Sequence, residues 1–213
     1  MVTRIKICGL TRAADVEAAC ALGVHAVGFV CYSRSPRFVP PERLAELARA
    51  VSPLAVPVLL FVDAPEVEVR QALDIVPNAL LQFHGREEAS ACLAWGRPFL
   101  KAVAMTEGVD LLDWESRYRG AAGLLADAPS AGFGGAGRVF DWRRLPAAAQ
   151  RRLPLVLAGG LDAANVAEAI GNVRPHGVDV SSGVEESPGL KSLARMRGFV
   201  AAVRDADAQD GAA

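Results

Sequence analysis

Eight short apolar runs recur along the chain, and no other feature constrains the fold as tightly. They begin at Arg4 (RIKIC), Ala26 (AVGFV), Pro57 (PVLLFV), Ala79 (ALLQF), Phe99 (FLKAVAM), Gly123 (GLLAD), Pro154 (PLVLAGG) and Gly177 (GVDVSSG). Each is continuous rather than alternating, as a parallel strand covered on both faces reads. Stretches of helical period lie between them. Leu44, Leu47 and Val51 follow Pro40-Pro41-Glu42, which puts Pro and an acidic residue at a helix start. Val69, Leu73 and Val76 follow Ala64-Pro65-Glu66. Val166, Ile170 and Val173 follow Asp162, expected to cap the helix through its side-chain oxygen. Leu193, Met196, Val200 and Val203 make the last stripe. The segment after Asp141 is the weakest helix, since Leu145-Pro146 interrupts it. Eight such units predict a single small (β/α)8 barrel of the α/β class. A doubly wound open sheet is the alternative, but near-equal units without a G-x-G-x-x-G turn favour closure. No linker or charge run divides the chain. Residues 1–204 therefore read as one domain, and the polar, Ala-rich residues 205–213 as a disordered tail.

Composition narrows the function classes. At 52% hydrophobic residues the chain can build a sizeable core. The 23 Lys+Arg against 24 Asp+Glu, a net charge of -1, argue against nucleic-acid or membrane-surface partners. A local basic pocket for a small anion stays compatible with that balance. The densest apolar run, Ala55 to Val62, is far below the ~18 residues of a membrane span. The opening residues, Met1-Val-Thr-Arg-Ile-Lys-Ile, lack a signal-peptide stretch. The expectation is a cytoplasmic protein whose Cys8, Cys20, Cys31 and Cys92 stay reduced. No C-x-x-C pair occurs, and His25, His84 and His176 stand at no zinc-like spacing, so no metal site is expected.

In such barrels the active site is built at the C-terminal ends of the strands. Gly159-Gly160 and Ser182-Gly183 follow the seventh and eighth runs, the common phosphate position of the fold, where glycines let an anion approach backbone N–H groups. Turn glycines needing positive φ are the plainer reading of either pair alone. Cys8 ends the first run. It reads as a buried structural thiol or as a reactive one activated by positive surroundings such as Lys6, Arg12 or a phosphate site. The other three cysteines read as structural. Asp127 ends an apolar run, and spacing alone fits both a loop-capping carboxyl and a general acid with a raised pKa. Arg37, after the second run, is a surface Arg or a two-bond clamp for a carboxylate. Asp179 suits a ligand hydroxyl or a loop cap, and His84 is the weakest candidate.

Together these motifs resemble the phosphoribosylanthranilate isomerase family of tryptophan biosynthesis. The resemblance rests on Lys6-Ile-Cys-Gly-Leu-Thr-Arg12, Ser35-Pro-Arg37, Gln82-Phe-His-Gly85, Asp127 with Gly134-Gly-Ala-Gly137, and Phe140-Asp-Trp142. Leu157-Ala-Gly-Gly-Leu161 with Asn165-Val166, Gly177 through Glu185, and Pro188-Gly-Leu-Lys191 complete it. The resemblance implies an Amadori rearrangement with Cys8 as general base and Asp127 as general acid. It implies Arg37 on the anthranilate carboxylate, His84 at the substrate, Asp179 near the ribosyl hydroxyls, and Gly159, Gly160, Ser182 and Gly183 around the phosphate. No cofactor or metal is implied. The expected partner is a phosphorylated small molecule, and the assembly a monomer or homodimer. Departures from the family pattern are Ala136 for Thr, Ala128 for Ser, Phe83 for Leu, and Ser192 where an acidic residue is frequent. The histidine-pathway phosphoribosyl isomerase is the nearest rival, but it carries an aspartate where Cys8 stands. A non-catalytic sugar-phosphate-binding barrel would lack the acid–base pair.

Overall fold

In the computed structural model, which describes residues 2–129 and 139–210, the eight predicted runs are eight strands. They are β1 (Arg4–Cys8), β2 (Ala26–Val30), β3 (Val56–Phe61), β4 (Leu80–Phe83), β5 (Phe99–Ala104), β6 (Gly123–Asp127), β7 (Leu155–Leu157) and β8 (Gly177–Val180). Each pairs in parallel with the next, and β8 closes onto β1 through Arg4↔Gly177 to Ile7↔Val180. The helices α1 (Ala13–Ala21), α2 (Pro41–Arg49), α3 (Glu66–Ile75), α4 (Ala89–Leu93), α5 (Leu111–Arg117) and α6 (Val166–Val173) fall between strands. An antiparallel hairpin, β9 (Glu185–Ser187) and β10 (Leu190–Lys191), precedes the last helix, α7 (Leu193–Asp210).

The continuous apolar runs conceal two destinations, because successive side chains leave a strand on opposite faces. Ile5, Ile7, Val27, Phe29, Leu59, Phe61, Leu81, Phe83, Phe99 and Val103 belong to the main core between strands and helices. The alternate residues form small clusters within the barrel: Cys8, Val30, Leu60 and Val62 in one, Ala102, Leu125 and Ala158 in another. Phe83, the departure from the family's Leu, meets Phe99 edge-on at 5.8 Å.

Local chemistry sets most helix ends. Pro41 opens α2, and Asp110 caps α5 by accepting from Leu112 N at 2.9 Å. Asp162 does not cap α6 directly. Its Oδ1 accepts from Ala164 N at 2.8 Å and Asn165 N at 3.1 Å, closing a turn that ends where α6 begins at Val166. Between β6 and β7 no α-helix forms among the described residues; two 3-10 turns, Trp142–Arg144 and Ala148–Gln150, flank Pro146 instead.

Two expectations are corrected at the C-terminus. Leu193 is half exposed rather than buried, while Phe199 joins Met196, Val200 and Val203 inside. Residues 205–210 are helix, not tail. Alanine is the strongest helix former, and Asp207 accepts from Thr3 N at 2.8 Å and Thr3 Oγ1 at 2.6 Å, tying α7 to the start of β1. Residues 211–213 lie outside the described residues.

One buried cation organises the loop after β4. Lys101, fully buried on β5, donates to Gly85 O at 2.6 Å, Glu87 Oε2 at 2.9 Å and Phe83 O at 3.4 Å. Its three N–H groups thus bracket His84. Lys101→Met strands a buried carboxylate and is expected to cost about 3–5 kcal/mol in urea unfolding. Lys101→Met/Glu87→Gln is expected to recover part of that loss, and equal losses would show that the ion pair is not the cause.

Candidate active site

Four of the candidate side chains converge where the strands end. Cys8 closes β1 and is buried, as are Asp127 at the end of β6 and Asp179 within β8. His84 follows β4. Its Nε2 lies 3.2 Å from Asp127 Oδ2, and its Nδ1 lies 3.2 Å from Gln82 Nε2. An amide N–H directed at Nδ1 leaves the ring's proton on Nε2, where it donates to Asp127. The other Asp127 oxygen, Oδ1, accepts from Ala128 N at 2.8 Å. Asp127 therefore meets the loop-amide role and still faces the mouth beside an imidazole.

Asp179 does not cap a loop. Its Oδ2 accepts from Lys6 Nζ at 2.7 Å, both groups being buried, and its Oδ1 has no hydrogen-bond partner among the described residues. Burial pushes the Asp179 carboxyl above its ordinary value; Lys6 opposes this and the charge of Asp127 adds to it. The Cys8 thiol is likewise raised by burial, with Lys6 and Lys191 pulling it down and Asp179 pushing it up. Lys6 stays protonated: burial works against the ammonium, but Asp179 and Cys8 prevail and raise it. Thiol, ammonium and both carboxyls thus form one electrostatic cluster. Arg12, considered beside Lys6 as a source of positive charge, instead pairs with Asp15 at 2.7 Å on the surface side. Two of the remaining thiols are held protonated by burial. Burial lifts Cys31 to about 12 and Cys92 to about 11, and Cys20 accepts from Ser52 N.

Arg37 is buried rather than a surface residue. Its Nε and Nη2 donate to Glu185 Oε1 and Oε2 at 2.8 and 2.7 Å. The two-bond fork expected for a ligand carboxylate is thus filled by Glu185. Gly9, at φ 75°, permits this arrangement: a Cβ there would collide with Arg37 Cδ. Glu185 Oε1 also accepts from Lys191 Nζ at 2.7 Å and Gly189 N at 3.2 Å. Lys191 Nζ in turn donates to Cys8 O at 2.6 Å and Ser181 O at 3.1 Å. The β9–β10 hairpin therefore locks both Arg37 and the end of β1.

The glycine positions behave as their loops require. Gly159 and Gly160 have φ of 85° and 65°, and a Cβ on Gly159 would lie 2.6 Å from Ala128 Cβ. Among the described residues neither amide donates to a carbonyl, while Asn165 Nδ2 holds Gly160 O at 2.8 Å. Ser182 and Gly183 open a 3-10 turn, Ser182–Val184. The Gly134–Gly137 segment, with the Ala136 departure, lies outside the described residues.

Sequence reasoning assigned no role to Gln82, Glu185 or Gly28, and it placed Lys191 only within a motif. Gln82 and Lys6 carried a visible signal, a polar residue inside an apolar strand. Glu185 and Lys191 carried none, because their pairing with Arg37 is purely spatial.

A closed parallel barrel with titratable side chains gathered at its C-terminal mouth is the arrangement of a (β/α)8-barrel enzyme. The family model described as N-(5'phosphoribosyl)anthranilate (PRA) isomerase matches residues 5–202. The N-(5'-phosphoribosyl)anthranilate isomerase of Leptothrix cholodnii is 50% identical over 207 residues, covering 97% of this chain and 93% of its own. The crystal structure of phosphoribosyl anthranilate isomerase from Thermus thermophilus superposes with a TM-score of 0.84 at 33% identity, covering 95% and 99% of the two chains. A phosphoribosyl anthranilate isomerase in complex with reduced 1-(o-carboxyphenylamino)-1-deoxyribulose 5-phosphate superposes at 0.79 and 31% identity, covering 95% and 99%. The chain belongs to the N-(5'-phosphoribosyl)anthranilate isomerase family, enzymes of tryptophan biosynthesis.

The Glu185 network has a pH signature. Burial raises the Glu185 carboxyl, but the Arg37 hydrogen bonds and the Lys191 charge prevail and hold it below its ordinary 4.5. A depressed folded-state pKa adds stability that is complete above the unfolded value and lost as pH falls through the folded one. Stability is therefore expected to decline below about pH 4.5, and Glu185→Gln to flatten that decline while lowering stability at neutral pH. Thermal unfolding across pH checks both, and an unchanged acid slope would remove Glu185 as its source.

Proposed function

We propose that this enzyme rearranges N-(5'-phosphoribosyl)anthranilate to 1-(2-carboxyphenylamino)-1-deoxyribulose 5-phosphate, with Asp127 as general acid and Cys8 as general base. The observation that carries the assignment is the shared cluster: Asp179 interacts with Asp127 on one side and with Cys8 and Lys6 on the other. An acid from β6 and a base from β1 thereby serve a single ligand.

The chemistry follows from those positions. Asp127 gives its proton to the furanose ring oxygen as the C1'–O bond breaks, and the anthranilate nitrogen lone pair forms the Schiff base. His84, donating to Asp127 Oδ2, stabilises the carboxylate left behind. The Cys8 thiolate takes the C2' proton, and the C–H electrons become the enolamine double bond. Tautomerisation of the enolamine then yields the ketone. No electrons leave the substrate.

The ligand's parts have counterparts in the site. The apolar cluster of Cys8, Val30, Leu60 and Val62 with Tyr32 suits the aromatic ring. Arg37 lies on the same side of the mouth, and its Nη1 suits the ring carboxylate while Glu185 fixes the guanidinium plane. Asp179 Oδ1 and Gln82 Oε1, buried acceptors without protein partners among the described residues, suit sugar hydroxyls. The Gly159 and Gly160 amides, with the Ser182–Gly183 turn, suit the phosphate. No helix of the described residues is long and apolar enough to cross a membrane. We infer a cytoplasmic enzyme with reduced thiols and neither nucleic acid nor membrane as partner, working as a monomer or homodimer.

Enzymatically generated phosphoribosylanthranilate is expected to lose its fluorescence rapidly on addition of the protein; the uncatalysed rate alone would overturn the activity. Cys8→Ala and Asp127→Asn are each expected to lower kcat by roughly 10²–10⁴-fold, and near-wild-type turnover in either would remove that residue's role. Arg37→Ala is expected to raise KM more than it lowers kcat, so an unchanged KM would take Arg37 out of the substrate contacts.

A further inference from the structure

Cys8 as base leaves one problem open. A thiolate forming in a buried site needs a cation, and several charged groups surround it. Arg37 and Lys191 interact with the thiol electrostatically, as do Lys6 and Asp179. Two of the three cations are committed elsewhere. Arg37 gives its fork to Glu185. Lys191 Nζ is shared among Cys8 O, Ser181 O and Glu185 Oε1, which uses all three of its N–H groups.

Lys6 is different. Its ammonium has a single carboxylate partner, Asp179 Oδ2 at 2.7 Å, and two further N–H groups. Lys6 and Cys8 stand two residues apart on β1, so their side chains leave the same face of the strand. Both heads rest on Gly28 of β2, the register partner of Cys8. A Cβ at Gly28 would lie 2.7 Å from Cys8 Sγ and 3.2 Å from Lys6 Nζ. The glycine is thus the floor on which thiol and ammonium share space, and any larger residue would drive one of them away.

We propose that Lys6 is the residue that activates Cys8, its ammonium stabilising the thiolate while Asp179 holds that ammonium in place and restrains it. This rests on Cys8 being the base. Asp179 has a double action. Its charge fixes Lys6, and the same charge opposes a second anion at Cys8. A ligand hydroxyl donating to Asp179 Oδ1 draws charge away from the Lys6 contact, and the ammonium then turns toward the thiol. In the free enzyme the thiol is kept protonated, consistent with its upward shift. Substrate binding is what releases the base, the thiol proton passing to water at the barrel mouth.

The two partners of this ion pair are therefore expected to have opposite effects on Cys8. A merely structural salt bridge would give the same effect from either side. The test is the rate of iodoacetamide alkylation at Cys8 from about pH 7 to about pH 11, a range that reaches past the raised thiol, read by peptide mass spectrometry on the full-length protein. Lys6→Met is expected to move the Cys8 midpoint up by about one unit, a tenfold loss of thiolate at neutral pH. Asp179→Asn is expected to move it down, and Lys6→Arg to keep it near wild type. Midpoints that shift in the same direction, or an unmoved midpoint in Lys6→Met, would overturn the proposal. Should Lys6→Met fail to fold, the absence of a fall in Asp179→Asn overturns it equally. The assay needs no turnover, so it stands apart from the base assignment, which fails instead if Cys8→Ala remains active.

Discussion

Three buried ammonium groups, each tied to a carboxylate, hold the working end of this barrel together. Lys6 pairs with Asp179, Lys101 with Glu87 and Lys191 with Glu185, and none of the six side chains is more than slightly exposed. An unpaired charge at such positions is costly, so each lysine dictates where its loop must run. Lys101 fixes the loop that carries His84. Lys191 fixes the hairpin after β8 and, through Cys8 O, the end of β1. Lys6 joins β1 to β8 at the seam where the barrel closes. The near-zero net charge of the chain thus hides strong local charge, internally balanced within the mouth.

The fold was legible because its signal is local. Each strand announces itself by a continuous apolar run, and parallel strands buried on both faces require that pattern. The ends were less legible. Residues 205–210 looked like a polar tail because composition does not show that Asp207 will meet Thr3 across the closed barrel. Asp162 looked like a helix cap, and it is one step removed from that role.

For the candidate site, the strand-end positions were legible and the contacts less so. The strand-end rule picked out Cys8, Asp127, Asp179 and His84, and the structure gathers them into one cluster. Which atom meets which depends on spatial pairing. The guanidinium of Arg37 reads from sequence as open to a ligand because Glu185 is 148 positions away along the chain. Lys6 and Arg12 read from sequence as equal sources of positive charge for Cys8; only the structure separates them, Gly28 bringing the Lys6 head against the thiol while Arg12 pairs with Asp15.

What remains is why a stable barrel should carry polar atoms that its own residues do not satisfy. A buried acceptor without a donor costs about 1–3 kcal/mol. Gln82 Oε1 and Asp179 Oδ1 are two such atoms among the described residues. Each belongs to a side chain whose other polar atom is committed, Gln82 Nε2 to His84 and Asp179 Oδ2 to Lys6. Replacing either side chain by an apolar one would relieve the cost and dissolve the link to His84 or Lys6. The arrangement makes sense if the missing donors arrive with the substrate, because the same hydroxyls would then both satisfy the site and report occupancy to His84 and Lys6. On that reading the stability given up at these two atoms is what couples binding to proton transfer.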